Sequence, residues 1–395
     1  MDHGDLPTGC PRRIGWLVMG TESYGVKRIT SGMLVELDRR GVEVEVMSLF
    51  PGLIADSAAA SGLRTTVFAP APPTARLAIR LRSIRLVRLL LDNARVTRRV
   101  RRQIRRSRFE LLQLSDIELV AAARLATFGT GVQICYLTPN RPPEHRIATW
   151  IFPRLLSGRR LRVLANSEDI RGRFEAVGVE STTLTLGIDV AEFTLPAGTP
   201  PRDEHGPARF VSVGRLCISK AQDLWTEATI ALIERGDDVT LAIVGGDFFE
   251  TDFTDDLRAT IARAGVGDRI QLLGERSDVM SILADADVAL CGTREIEAFG
   301  LAAVEALSCE RPVVVLGEGG IREIVDDGRT GWYVPSVDVA GVTAAMQRCL
   351  ADRPRWDDMG VAGRRKVLER YTVERVIERY LDIVSIPPHH ANRAS

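Results

Sequence analysis

Two glutamates, Glu297 and Glu305, bracket the stretch Ala298-Phe-Gly300-Leu-Ala-Ala-Val304, which follows the apolar run Val288 to Cys291. Residues 301–308 are good helix formers, so the spacing predicts a strand, a loop holding Glu297, and a helix starting near Gly300 or Leu301. The free N–H groups of Gly300, Leu301 and Ala302 would then lie at a helix N-terminus, where the dipole and unpaired amides suit a phosphate. Glu297 and Glu305 would bracket a ligand whose phosphates rest on those amides. Glu297 can also be read as a first-turn acid stabilised by the dipole, and Glu305 as a solvated surface acid. Upstream, Val213-Gly-Arg215-Leu216 ends a second apolar run, and Lys220 follows five residues after Arg215. Cations just past a strand's C-terminal end stand where open α/β sheets bind ligands. Alone, Arg215 and Lys220 read equally as solvated loop residues. A third loop, Gly319-Gly-Ile-Arg-Glu323, and a fourth, Thr21-Glu-Ser-Tyr24-Gly25-Val26, complete the set. Gly25 would let backbone amides approach a phosphate closely.

These loops need strands to end at them and helices to start from them, and the chain supplies both. Ile14 to Met19 reads as a strand, Val26 to Arg40 as a helix, and Val42 to Val46 as the next strand. Further runs lie at Leu111–Leu114, Val132–Leu137 and Leu161–Ala165. A second series holds Phe210–Val213, Val239–Val244, Ile270–Leu273, Val288–Cys291 and Pro312–Leu316. Short apolar runs alternating with helical stretches predict parallel sheets covered by helices on both faces. Between the series, residues 194–207 are rich in Pro and Gly without periodicity and read as a linker. The expected organisation is an N-terminal domain over 1–193, a C-terminal domain over 208–372, a helix over 373–386 and a polar tail over 387–395.

In this order the motifs resemble the retaining nucleotide-sugar glycosyltransferases of family 4. The resemblance runs from about residue 14 to 385. Its most specific element is the E-x7-E pair Glu297 and Glu305. V-G-R-L with Lys220-Ala-Gln-Asp-Leu224 is similar to the family's diphosphate loop, Gly319 to Gly331 to its next signature, and Leu186-Gly-Ile-Asp189 to the segment closing the first domain. The resemblance implies the GT-B fold, two doubly wound Rossmann-like domains facing each other across a cleft, with helix 373–386 crossing back to the first domain. It implies a nucleotide-sugar donor, uridine diphosphate by default, and a hydroxyl acceptor. By position, Arg215 and Lys220 would hold the diphosphate. Phe299 and the amides of Gly300 and Leu301 would contact the donor, Glu297 the sugar hydroxyls and Glu305 the ribose. Gly25 would approach the phosphates from the other domain. No cofactor and no metal are expected. One D-x-D, Asp285-Ala-Asp287, lies just before a strand and reads as structural.

The sequence departs from the family pattern at four places. Tyr24 precedes Gly25 where two glycines are usual, Ala221 follows Lys220 in place of glycine, and Glu310 stands two residues before Pro312 where glycine is common. The run Cys135 to Asn140 lacks the family's acceptor-side histidine. His145 could substitute or could be a surface histidine, and Tyr24 could shape the sugar pocket or cover it. Alternative readings are a nucleotide-sugar-binding partner without transfer and a glycosyl phosphorylase. A dinucleotide oxidoreductase is disfavoured, because Gly15, Gly20 and Gly25 lack the G-x-G-x-x-G spacing.

Charge adds one question. The chain balances 52 basic against 52 acidic residues, yet residues 1–195 carry 29 against 19. The excess is confined to Arg76–Arg108, with 13 arginines and one acid, Asp92. Apolar residues recur there in steps of three and four, which predicts one or two amphipathic helices. The arginine face is either simply solvated or meets an anionic partner such as a membrane; no nucleic acid is expected. No apolar run approaches the ~20 residues of a membrane span, and the N-terminus lacks a signal-peptide core, so the expected location is cytoplasmic or peripheral at the inner membrane face. The six cysteines are widely spaced, without a C-x-x-C pair, which argues against zinc and disulfides.

Overall fold

The strand-like runs all pair in parallel. The computed structural model describes residues 6–20, 24–68, 82–138, 141–142, 146–196, 198–199, 202, 205–247 and 251–386, with the backbone alone at 24, 82–93, 146–149 and 251. By contacts the chain divides into Met1–Gly187 with Val373–Ser395, and Ile188–Thr372.

The first unit contains β1 (Arg13–Val18), α1 (Tyr24–Arg39), β2 (Glu43–Ser48), α2 (Leu53–Ala60), β3 (Arg64–Val67) and α3 (Arg82–Ser107). It continues with β4 (Leu111–Leu114), α4 (Val120–Thr127), β5 (Gln133–Thr138), α5 (Arg146–Leu156), β6 (Leu161–Ala165), α6 (Glu168–Ala176) and β7 (Thr182–Thr183). Its sheet runs β3-β2-β1-β4-β5-β6-β7. β1 lies between β2 and β4 with Ile14 opposite both Val44 and Leu111, and five of its six residues are buried. A strand covered on both faces needs such a continuous apolar run. β3 and β7 lack one, being RTTV and TT, and sit at the sheet's edges.

The second unit contains β8 (Ala208–Val213), α7 (Gln222–Glu234), β9 (Val239–Val244), α8 (Thr251–Ala264), β10 (Ile270–Gly274) and α9 (Val279–Asp285). It ends with β11 (Val288–Glu297), α10 (Leu301–Ser308), β12 (Val313–Gly319), α11 (Ile321–Ile324), β13 (Gly331–Tyr333), α12 (Val339–Ala351) and α13 (Trp356–Arg370). The sheet order is β10-β9-β8-β11-β12-β13, so the winding reverses between β8 and β11. Open α/β sheets bind ligands beyond the strand C-termini at such a switch point. Trp225, Trp332 and Trp356 are fully buried in this unit's core.

α14 (Val373–Ser385) belongs to the first unit. Its apolar face, Val373, Val376, Ile377, Tyr380, Leu381 and Val384, is buried in that core. Tyr380 Oη donates to Gln113 Oε1 at 2.9 Å, which fixes the helix over β4.

α3 is one continuous helix. In its described part Val100 and Ile104 are buried, while Arg95, Arg98, Arg102, Arg105 and Arg106 are exposed. No helix among the described residues is long and apolar enough to cross a membrane.

Candidate glycosyl-transfer site

β8 and β11 are adjacent, and the expected donor residues of the second unit gather past their C-terminal ends. After β8, Gly214 and Arg215 lead into a 3-10 turn, Ile218–Lys220, and then α7. The Arg215 side chain is exposed. The Arg215 carbonyl accepts from Gln222 Nε2 at 2.8 Å, which closes the turn over the start of α7.

β11 runs six residues beyond the apolar stretch that marks it in the sequence. Its register with β12 shifts between Gly292 and Ile296, then resumes with Ile296 opposite Glu318 and Glu297 opposite Gly319. Glu297 is therefore the last residue of a strand, which corrects its expected place in a loop. The polar residues Thr293, Arg294 and Glu295 occupy the irregularity and hide the extension from a hydrophobic reading. At Gly319, φ is 98° and an added Cβ would lie 2.5 Å from the Glu297 carbonyl oxygen, so the Gly319–Glu323 motif is in contact with the end of β11.

Lys220 Nζ donates to Glu297 Oε2 at 2.5 Å. The two side chains are 31% and 21% exposed, enough for both charges to remain hydrated and open to a ligand. Cys291 lies near them. Burial pushes its thiol up to about 12, with Lys220 opposing the shift and Glu305 and Glu297 adding to it.

Gly300 caps α10 with φ 106°, and no side chain caps the helix. The first intrahelical donor is Ala303, so the Leu301 and Ala302 amides precede the helical ladder. A Cβ at Gly300 would lie 2.7 Å from Ile321 Cγ1, so only glycine fits between α10 and α11. Phe299 is buried with its ring edge-on to Tyr371, centroids 5.8 Å apart. Glu305 is 6% exposed, so it is not a solvated surface acid; it faces inward from α10.

The structure thus brings together Lys220, Glu297, Gly300, Leu301 and the Gly319–Glu323 turn, with Arg215 at the entry to the Ile218–Lys220 turn. Gly25 and Tyr24 open α1 of the first unit, and the amides of that first turn lie at its N-terminus. His145 lies outside the described residues. Asp287 is engaged structurally, accepting from the Arg209 amide at 2.9 Å and from its guanidinium at 2.8 Å. Sequence reasoning missed Thr293, Arg294 and Asp223, which tie the Lys220 turn to β11. Asp223 lies within the Lys220–Leu224 motif and Arg294 three residues before Glu297, but nothing in their spacing indicates that they meet.

Residues 207–352 match the family described as Glycosyl transferases group 1. The matched stretch lies within the second unit, Ile188–Thr372. A GDP-mannose-dependent alpha-(1-6)-phosphatidylinositol monomannoside mannosyltransferase of Mycolicibacterium smegmatis is 34% identical over 236 residues, 53% of this chain and 60% of that protein. The lipopolysaccharide core biosynthesis mannosyltransferase LpcC of Rhizobium leguminosarum bv. viciae is 29% identical over 55% of this chain and 62% of its own. The matched stretch therefore spans about three fifths of these relatives. Among solved structures, HepE of Anabaena in complex with UDP and glucose has a TM-score of 0.77 at 18% identity, covering 94% of this chain and 99% of its own. A glycosyltransferase from Rickettsia africae has a TM-score of 0.80 at 17% identity, with coverage of 94% and 97%. Likeness at this identity shows the fold, which is GT-B with two Rossmann-like sheets.

Proposed function

We propose that the chain is a retaining glycosyltransferase that moves a sugar from a nucleotide-sugar donor to a hydroxyl acceptor without a metal. The observation that carries this is the Lys220–Glu297 pair beside the uncapped start of α10, past the strand ends at the switch point. Breaking the bond between the anomeric carbon and phosphate builds negative charge on the diphosphate and positive charge on the sugar. Arg215, Lys220 and the amides of Gly300 and Leu301 are preorganised for the first charge. Glu297 orients the sugar hydroxyls, and Glu305 and Phe299 hold the nucleotide side of the donor. The leaving phosphate takes the acceptor's proton on the face it departs from, which retains configuration. Both relatives are mannosyltransferases and the Mycolicibacterium smegmatis one is GDP-mannose-dependent, which favours GDP-mannose as donor over the UDP-sugar expected from the resemblance. A donor-hydrolysis screen with GDP-mannose and UDP-sugars, run with and without EDTA, tests this. Turnover with GDP-mannose that survives EDTA is expected. No turnover with any nucleotide sugar would sink the reading, and complete loss in EDTA restored by Mg²⁺ would sink its metal-free part.

The same relatives act on a phosphatidylinositol mannoside and in lipopolysaccharide core biosynthesis, which favours a glycolipid acceptor; we propose further that it is met at an anionic membrane, for which the first unit has suited features. α3, α4 and α5 connect strands stepping in one direction across the sheet, so right-handed crossovers put them on one face. Beside the exposed arginines of α3, Phe128 is 79% exposed, with its carbonyl accepting from Arg101; Leu125 and Trp150 are 59% and 62% exposed. Arginines attract anionic headgroups at about 1 kcal/mol each, and tryptophan favours the lipid–water interface. Co-sedimentation with anionic vesicles at low salt, lost with neutral vesicles, is the expected result. Failure to bind anionic vesicles would rule out the membrane part alone.

A further inference from the structure

We propose that Arg294, with Asp223 and Thr293, is a positioning device for Lys220 and that it acts on sugar transfer only through that lysine. The inference rests on the diphosphate role assigned to Lys220 above. Lysine is a flexible point charge on a four-carbon stem, so its placement depends on the backbone that carries it. That backbone is the three-residue turn Ile218–Lys220, followed by Ala221 at φ 58°. Its main-chain hydrogen bonds include Lys220 to Cys217 and Ala221 to Ile218, at 3.0 and 3.1 Å.

Beyond the Gln222 bond to the Arg215 carbonyl, further restraint comes from β11. Where the strand loses register, Thr293 and Arg294 leave the regular alternation and turn toward the Lys220 loop. Thr293 Oγ1 donates to the Ser219 carbonyl at 2.7 Å, and Arg294 Nη1 donates to the Ile218 carbonyl at 2.6 Å. The Arg294 fork then closes on Asp223, with Nη1–Oδ1 at 2.8 Å and Nη2–Oδ2 at 2.6 Å. The chain is therefore held on both sides of Lys220, by two carbonyls before it and one carboxylate after it. The holding strand is the one that ends in Glu297, so the clamp fixes the Lys220–Glu297 spacing. A solvated surface ion pair has no reason to contact the turn's carbonyls. The two side chains are 26% and 32% exposed, and the bidentate geometry is one that lysine cannot reproduce.

The test is a double-mutant cycle. Arg294→Gln and Arg294→Lys are made in the parent and in Lys220→Ala, with donor kcat and KM and the melting temperature measured for each. Arg294→Gln is expected to lower kcat about 10-fold in the parent, with a smaller change in donor KM, as for a reacting group displaced by a fraction of an ångström. Arg294→Lys keeps the charge but not the fork and should fall between. In the Lys220→Ala background the same substitution should cost less than about twofold, because the group it positions is gone. Equal fold losses in both backgrounds would overturn the inference, as would no loss in the parent. If Lys220→Ala itself leaves turnover at the parental level, the donor role of Lys220 fails first, and that result is distinct from additivity. Should Arg294→Gln not fold, Asp223→Asn runs the same cycle from the other partner.

Discussion

Removing the Lys220 ammonium separates a catalytic role from a structural one, because the two differ in size. As a structural element Lys220 makes one ion pair, to Glu297, between side chains that are 31% and 21% exposed. Water reaches both, so Lys220→Ala should cost about 1 kcal/mol of stability or less. For a unit of this size that is a fall of about 2–4 °C in Tm. As a charge facing the departing diphosphate it does more, since a preorganised donor at a developing anion contributes about 2.7–4 kcal/mol. Lys220→Ala should therefore lower kcat by roughly 10²–10³-fold while the fold survives. The assay is the initial rate of nucleoside diphosphate release at saturating donor, beside a thermal melt monitored by circular dichroism. Turnover within about threefold of the parent, under ~0.7 kcal/mol in the barrier, would refute the assignment. A melt lowered by more than about 10 °C would show that the lysine holds the unit together instead.

Gly300→Ala forces a side chain into φ 106° and 2.7 Å from Ile321 Cγ1, and should cost about 2 kcal/mol or more of stability in urea unfolding. It should also weaken nucleoside diphosphate binding in calorimetry, since α10 must shift; unchanged stability and binding would show that the helix start is not tightly packed. Glu310 sits at φ 55° just past α10, so Glu310→Gly should raise stability by about 0.5–1 kcal/mol, and a lower denaturation midpoint would contradict the strain argument. Asp352 accepts from Trp332 Nε1 at 2.8 Å. That N–H, followed by Arg355, holds its carboxyl below the usual range against the opposing pull of burial. Its contribution is complete above the ordinary carboxyl pKa of about 3.9 and is lost as pH falls through the lower folded value. Asp352→Asn should lower stability at pH 7 by about 0.5–1 kcal/mol and flatten the acid limb below about pH 4; an unchanged limb would exclude Asp352.

The sequence was most legible where burial left a simple mark. β1 and the first parts of β11 and β12 are buried on both faces, and each is a continuous apolar run. The end of β11 was not legible, because Arg294 and Glu295 read as loop although backbone pairing resumes at Ile296. Edge strands such as Thr182–Thr183 leave no mark at all, since an edge buries little. The site divides in the same way. Glu297, Gly300 and Glu305 are neighbours along the chain, so their spacing could be read directly. Lys220 and Glu297 meet across 77 positions, and only their adjacent strands β8 and β11 explain it. The Arg294–Asp223 pair depends on an irregularity in register, which no periodicity encodes.

The two departures in the second unit, Ala221 and Glu310, acquire a common physical meaning. Both stand where glycine is usual, and both adopt left-handed backbone, at φ 58° and φ 55°. Ala221 caps α7 directly after Lys220. Glu310 follows α10, where its own amide returns to the Leu307 carbonyl at 3.0 Å and the Arg311 amide to Ala306 at 2.9 Å, the two bonds of a Schellman end. The conformation is therefore imposed by helix ends that begin or finish the site's two helices, and it persists without the residue best suited to it. At Ala221 the strain is offset, because its methyl is fully buried in the core beneath the turn, worth roughly 0.8 kcal/mol against a left-handed cost of about 1–2 kcal/mol. At Glu310 nothing comparable is buried, and the Arg364 contact is 3.8 Å long. Glycine should thus be nearly neutral at 221 and stabilising at 310. Departure from a motif is informative here only once the backbone beneath each residue is known.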